Sequence, residues 1–587
     1  MQCIFEVSWE VCNRVGGIYT VIESKAEYAM KYFDDYFFVG PYFAHNLSDF
    51  EELAPSADLE EIFSKLNSKG IYCHYGRWIA AKGTAILIDF SGLMNSKNQI
   101  KGDLWKDYKI DSLFAGNDFD EPVVWSTAAG MLIEEFSRKF PNKEIIVHVH
   151  EWLAGACLLY LKKLNSNIAT VFTTHATVLG RAIADSNRPL YHILKTIDPS
   201  KEAYNCGVSS KHGMEKATAS NCDIFSTVSD ITALETEYLL GRKPDILLIN
   251  GVNFREFPDL EAIPQGHRVN KEAIKEFLMA YFSPYYTVDL ENALFYFLSG
   301  RYEFHNKGID VTIESLKKLN EKLKKEKSDK TIVFFFFVPG ATSSKNIEIL
   351  ENTAILERIE RLVDENNLEI RKKIIYSALA GKFPSENIFE EHFTREMKQL
   401  IFSLRKKGLP PVEVYELEDK NHDAILNALQ RAGLNNKEED RVKVIHYGNY
   451  LGLGDGLLGL DYYSAIWGCH LGVFPSYYEP FGYTPIESAA HGVPAITTDL
   501  SGFGRFALSS MKTNEGVFVL KRENKSFEEV SGELTDYLYW YSNLSKEERI
   551  KNKIIAENFS MNFSWSTLIS NYLKAYELAL RRAYNKI

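Results

Sequence analysis

One stretch of seven apolar residues, Ile332-Val333-Phe334-Phe335-Phe336-Phe337-Val338, constrains the fold of this 587-residue chain more than any other. Along a strand, successive side chains point to opposite faces, so four consecutive phenylalanines put rings on both sides. A strand that is apolar on both sides has to be covered on both sides. That is the situation of a parallel sheet sandwiched between helices. The run is far too short to span a bilayer.

Similar runs recur with helical stretches between them. In the first half they are Ile4–Val7, Ile145–Val149, Ala169–Thr173 and Ile246–Ile249, with a helix from about Ile18 to Tyr32. The rhythm restarts near Ala293, with Leu294–Leu298, a helix from about Gly308 to Leu323, the phenylalanine strand, Val442–His446, His470–Pro475 and Pro494–Thr497. Strands alternating with helices predict doubly wound α/β domains. The chain is too long for one core, so two are expected, residues 1–255 and 256–561, joined near residues 255 to 290. Residues 345–440 break the rhythm. Ile355, Ile359 and Leu362, and again Met397, Ile401 and Leu404, follow helical spacing on either side of Gly381 and Pro384. This is a helical insertion, either a surface decoration or a contact between subunits. Ile569, Tyr572, Leu573, Tyr576 and Leu580 mark an amphipathic helix, within about 562–587, expected to pack back on the first domain.

A net charge of −12 argues against nucleic acid or an anionic membrane as partner. The seven cysteines have no CxxC spacing, as expected of reduced thiols in the cytoplasm, and no basic-then-apolar leader opens the chain.

Four motifs carry chemistry. Arg14-Val15-Gly16-Gly17 is a strand-to-helix turn where the backbone can approach a ligand and the helix offers free N–H groups to phosphate. In Gly300-Arg301-Tyr302-Glu303-Phe304-His305-Asn306-Lys307-Gly308, two cations flank a loop that opens a helix, as a diphosphate site requires. Tyr478-Glu479-Pro480-Phe481-Gly482-Tyr483-Thr484-Pro485-Ile486-Glu487 sets two carboxylates eight apart around a glycine. Its second half also reads as a helix start, with Thr484 as N-cap, Pro485 at N1 and Glu487 closing a capping box. Glu479 precedes that helix and is free to accept sugar hydroxyls. His148-Val149-His150-Glu151 ends a strand, and Thr173-Thr174-His175 ends the next. No third metal ligand is evident beside the two histidines, so no metal is expected; His175 is expected near substrate and the first cluster mostly structural. Asp118-Phe119-Asp120 reads as surface acids.

These motifs, together with Glu6 to Ile22, His150 to Gly155, Thr173 to Thr177 and Gly468 to Pro480, resemble the glycogen synthases of the animal and fungal type, glycosyltransferase family 3. The resemblance runs from the first residues to Tyr584. It implies the GT-B fold, two Rossmann-like domains facing across a cleft, and retaining transfer of glucose from UDP-glucose to the 4-hydroxyl of an α-1,4-glucan such as glycogen, with no metal or other cofactor. It assigns the donor diphosphate to Arg301, Lys307 and Arg181, the ribose to Glu487 and the glucose ring to Glu479. It places His175 and Asn250 on the sugar, and Gly16 and Gly17 at the phosphates. Arg14, Gly482, Tyr483 and Thr484 complete the expected substrate-binding set. It also implies a primer protein as partner and favours a homotetramer built on the insertion.

Two departures stand out, Arg14 where the family usually has lysine and Phe481 where tryptophan is common. In addition, the family's arginine-rich helix that binds glucose-6-phosphate is matched by Glu548-Arg549-Ile550-Lys551-Asn552-Lys553, with one arginine and two lysines. Weak or absent activation is therefore expected. ADP-glucose as donor, a silent glucan-binding scaffold and a pyridoxal-phosphate-dependent phosphorylase are the competing readings.

Overall fold

In a computed structural model that describes residues 2–164, 166–259, 261–381 and 389–584, the phenylalanine run forms the strand Ile332–Phe337 of a six-stranded parallel sheet. Phe334 and Phe336 pack on one face with Leu316 and Leu319 of the helix Ile309–Lys325. Phe335 and Phe337 pack on the other with Phe277 and Tyr281 of the helix Ala262–Phe282. All four rings are buried, each stabilising the fold by about 2 kcal/mol in gross transfer energy. The strand order is Val442–Tyr447, Ile332–Phe337, Leu294–Ser299, Leu471–Val473, Ala495–Thr498, Val517–Leu520.

The first half builds a nine-stranded sheet. Gln2–Val7 lies between Asp35–Pro41 and Glu144–His150, and Ala169–Thr174, Ile224–Thr227 and Ile246–Leu247 follow in parallel. Beyond Asp35–Pro41 lie Gly83–Asp89, Tyr72–Trp78 and Phe50–Glu52, the last two antiparallel to their neighbours. Tyr72–Trp78 is half exposed and polar at several positions, and Phe50–Glu52 is mostly exposed, so neither has the apolar run that marks the parallel strands beside Gln2–Val7. The helix Trp565–Tyr584 packs into this half: Trp565, Leu568, Ile569, Tyr572 and Tyr576 share a core with Ile4, Val21 and Phe38.

The insertion forms the helices Ile347–Leu379 and Glu391–Leu404. Leu362, Phe393 and Leu400 are buried between them, against Ile355, Ile359 and Met397. Leu368, Tyr376, Leu379 and Phe402 remain exposed. Pro384 lies outside the described residues. No helix among the described residues is long and apolar enough to cross a membrane.

Parallel strands present their carboxyl ends to one side of each sheet, and ligands of such sheets bind there. Every candidate residue follows such an end. Gly16 comes after Gln2–Val7, His175 after Ala169–Thr174, Asn250 after Ile246–Leu247, Arg301 after Leu294–Ser299, and Glu479 after Leu471–Val473.

Candidate active site

The loop after Leu294–Ser299 is held by Gly308, whose φ is +68°. A Cβ there would lie 2.0 Å from the Pro475 carbonyl oxygen, so only glycine permits this approach. The loop and the 475–483 segment are thereby pressed together, and Lys307 Nζ forms an ion pair with Glu479 Oε2. Both side chains are mostly covered. Arg301, by contrast, is exposed and touches Glu303 at 2.9 Å.

The helix after this segment runs from Tyr483 to Ala490 and starts at Gly482, with φ +107° and no side-chain cap. This corrects the expected capping box. The left-handed glycine starts the helix before Thr484 can act as N-cap, and Pro485 falls in the first turn, where no N–H is needed. Glu487 is released from any capping role. It accepts instead from Tyr462 Oη at 3.2 Å and Tyr463 Oη at 3.4 Å. Burial lifts its pKa to about 7 against those two hydrogen bonds.

On the first domain, two amides at the Gly16-Gly17 turn and the helix it opens are already engaged. Glu10 Oε2 accepts from Gly16 N at 2.8 Å and Tyr19 N at 2.9 Å. Burial raises the Glu10 pKa, and the Arg301 charge from the other domain opposes that rise. Arg14 is exposed and lies over the Tyr19 ring. Gly17 faces the Tyr483 ring, which a Cβ would meet at 4.0 Å.

Glu151, within the motif read as mostly structural, lies against the backbone of His175. Its φ of +65° is strained for a residue with a side chain. Its carboxylate accepts from the His175 and Ala176 amides at 2.8 and 3.2 Å. Burial pushes its pKa up to about 7, against those amides and Arg181. Arg181 sits on the helix Val178–Asp185, where the carboxylates of Glu151 and Glu303 favour its charge against burial. Asn250 is buried, and its Oδ1 has no hydrogen-bond partner. A buried orphan acceptor beside a cleft is suited to a ligand hydroxyl.

The two domains touch around Glu479. Ser229 and Thr232 donate to the Pro480 carbonyl at 2.5 and 3.3 Å. Tyr478 Oη donates to Glu235 at 3.3 Å, and Asn306 Nδ2 donates to Asp185 at 2.7 Å.

A third possible ligand, the carboxylate of Glu6, does lie beside the two histidines, which corrects the sequence reading. Ligand atoms of Glu6, His148 and His150 fall within 4.8 Å of one another. Their lone pairs are taken up, however. Glu6 Oε1 accepts from Lys25 Nζ at 2.5 Å and pairs with His150 Nε2 at 2.8 Å. The two His148 nitrogens meet Tyr576 Oη and Thr173 Oγ1. The Lys25 ammonium stands where a metal would, so this donor set does not fit one. Asp118 pairs with Lys211, and Asp120 pairs with Lys97 and Lys101.

Two doubly wound domains, with cations and carboxylates meeting at the strand ends between them, define a glycosyltransferase of the GT-B class. The catalytic domain of starch synthase IV from Arabidopsis thaliana shares the fold, with a TM-score of 0.52 at 12% identity over 99% of both chains. A family model described as glycogen synthase matches residues 6–587. The liver glycogen [starch] synthase of Mus musculus is 37% identical over 588 residues, covering 99% of this chain and 84% of that protein. Isoform 2 from Saccharomyces cerevisiae is 35% identical over 611 residues, covering 99% and 86%. The chain belongs to the glycogen synthase family, and it is a glucan-building transferase.

Proposed function

We propose that the enzyme uses UDP-glucose and extends the non-reducing end of an α-1,4-glucan at its 4-hydroxyl with retention. The observation that carries this reading is the Lys307–Glu479 pair, set at the meeting point of the domains, with Arg301 on the same loop as Lys307. As the bond between glucose C1 and the phosphate oxygen breaks, negative charge builds on the diphosphate. Lys307, Arg301 and Arg181 stabilise that charge most in the transition state. The acceptor oxygen attacks C1 from the face the diphosphate leaves, and its proton passes to the departing phosphate. Glu479 holds the glucose ring. The orphan Asn250 carbonyl accepts a sugar hydroxyl, and Glu487 with its two tyrosines receives the ribose. Exposed apolar residues on the insertion suit assembly into a tetramer, and the enzyme works in the cytoplasm.

The test is transfer of labelled glucose to glycogen from UDP-glucose and from ADP-glucose, by wild type and Glu479→Ala. Transfer from UDP-glucose that collapses in the variant is the expected result. A preference for ADP-glucose would overturn the donor assignment. A covalent glucosyl-enzyme trapped on Glu479 would overturn same-face attack, and no transfer from either donor would leave a glucan-binding scaffold.

A further inference from the structure

Behind His175 runs a buried chain of hydrogen bonds with a definite direction. Glu6 is fully buried and is met by Lys25 at 2.5 Å and Tyr36 Oη at 2.5 Å. Burial opposes its charge, but Lys25 and His150 hold its pKa at about 2. A carboxylate only accepts, so the His150 Nε2 facing it at 2.8 Å carries the proton. Burial pushes the His150 pKa down despite Glu6, and that ring is neutral. Its Nδ1 is then a bare acceptor. His175 Nε2 lies 3.0 Å from it and has to be the donor. His175 is itself kept neutral, by burial first, with the Lys25 charge adding to it. One proton on Nε2 leaves its Nδ1 bare. Among the described residues, the ring's only side-chain hydrogen bond is the one to His150.

We propose that Glu6 and His150 are positioning residues that lock His175 as the Nε2–H tautomer, so that it offers Nδ1 to the bound sugar purely as a hydrogen-bond acceptor. The proposal rests on the reading that His175 lies against the sugar. It has a chemical consequence. A ring held neutral, with its one proton committed to His150, has none to give the leaving group. The diphosphate therefore departs on the cations alone, without an acid from this side. Lys25 holds the far end of the chain, since it keeps Glu6 ionised where no water reaches it.

Nuclear magnetic resonance of the histidine-labelled wild-type protein reads the tautomer directly. The expected result is a neutral His175 with Nε2 protonated and Nδ1 bare from about pH 6 to about pH 8. An Nδ1–H ring or an imidazolium would overturn the proposal. In His150→Asn the shorter amide can face His175 but cannot span to Glu6, so nothing orients it and His175 should show mixed tautomers. Its kcat should fall roughly 10- to 100-fold, with the donor KM changed less than about 3-fold. An unchanged kcat in a folded variant would overturn the positioning role. Should that variant fail to fold, the wild-type spectrum still decides. The tautomer is read without turnover, so a wild type that transfers no glucose would sink the functional reading alone.

Discussion

The two rims of the cleft are held by opposite means. On the first domain, buried carboxylates are pinned by hydrogen bonds. Glu151 is held by two backbone amides, Glu215 by Thr174 and the Val178 amide, and Glu235 by Thr177, Tyr191 and Tyr478. Burial lifts Glu151 and Glu235 to about 7 and Glu215 to about 8. On the second domain, the side chain of Arg301 is 67% exposed, and Lys307 has one acidic partner. The first rim is therefore organised before any ligand arrives, and the second supplies charge that becomes ordered when a diphosphate binds. Charge near water is weak until the site closes, so the second rim depends on the first to hold Tyr478 and Pro480 in place.

The comparison breaks most visibly if the cations are dispensable. Lys307→Ala should lower kcat/KM about 1,000-fold, or ~4 kcal/mol. Steady-state kinetics would check this, and a loss under tenfold would mean the second rim is not the seat of the chemistry. Stability should show the reverse asymmetry. Lys25→Met leaves Glu6 buried without its cation and should cost about 3 kcal/mol in denaturant unfolding, whereas Arg301→Ala should cost under about 0.5 kcal/mol.

The link between rims is smaller in effect. Tyr478→Phe removes the hydrogen bond to Glu235 and should lower kcat/KM about fivefold, near 1 kcal/mol. Equal rates in the variant and wild type would show the rims to be independent. Smaller still, Glu10→Gln should lower the donor KM about twofold, because a neutral side chain competes less well for helix N-terminal amides. A higher KM would show that Glu10 supports the turn rather than blocking it.

Response to glucose-6-phosphate should depend on pH. Lys553, Lys271 and Arg549 bear on one another, and burial with those neighbours pushes Lys553 down to about 7. A lysine with a lowered pKa is charged only below that value, so it binds phosphate more strongly as pH falls. Activation should be small at about pH 8 and larger at about pH 6.5. Saturable activation that is strong at both would contradict this.

Much of the second rim was legible because it is local. Lys307 and Glu479 lie in loops that directly follow apolar strands, and the Gly308 turn and the helix after Glu479 show in neighbouring residue types. Glu151 stood in a motif read as mostly structural, and its contact with the His175 loop was not legible there because the amides it accepts from are 24 and 25 residues away. The capping box at Thr484 was a sound local rule that a left-handed glycine overrode. The partners of Glu487, 24 and 25 residues earlier, left no mark in its own segment.

By itself the sequence determined the alternation of strands and helices, the double-sided burial of the phenylalanine strand, and the loops that reach the cleft. These follow from side-chain periodicity and backbone preference, which act over a few residues. Only the tertiary structure decided that Lys25 takes a metal's place beside Glu6, that Glu10 fills the glycine turn, and that His175 is the end of a directed chain. Hydrogen-bond direction and desolvation depend on which groups meet in space. Here those groups are separated by up to 144 residues in the chain.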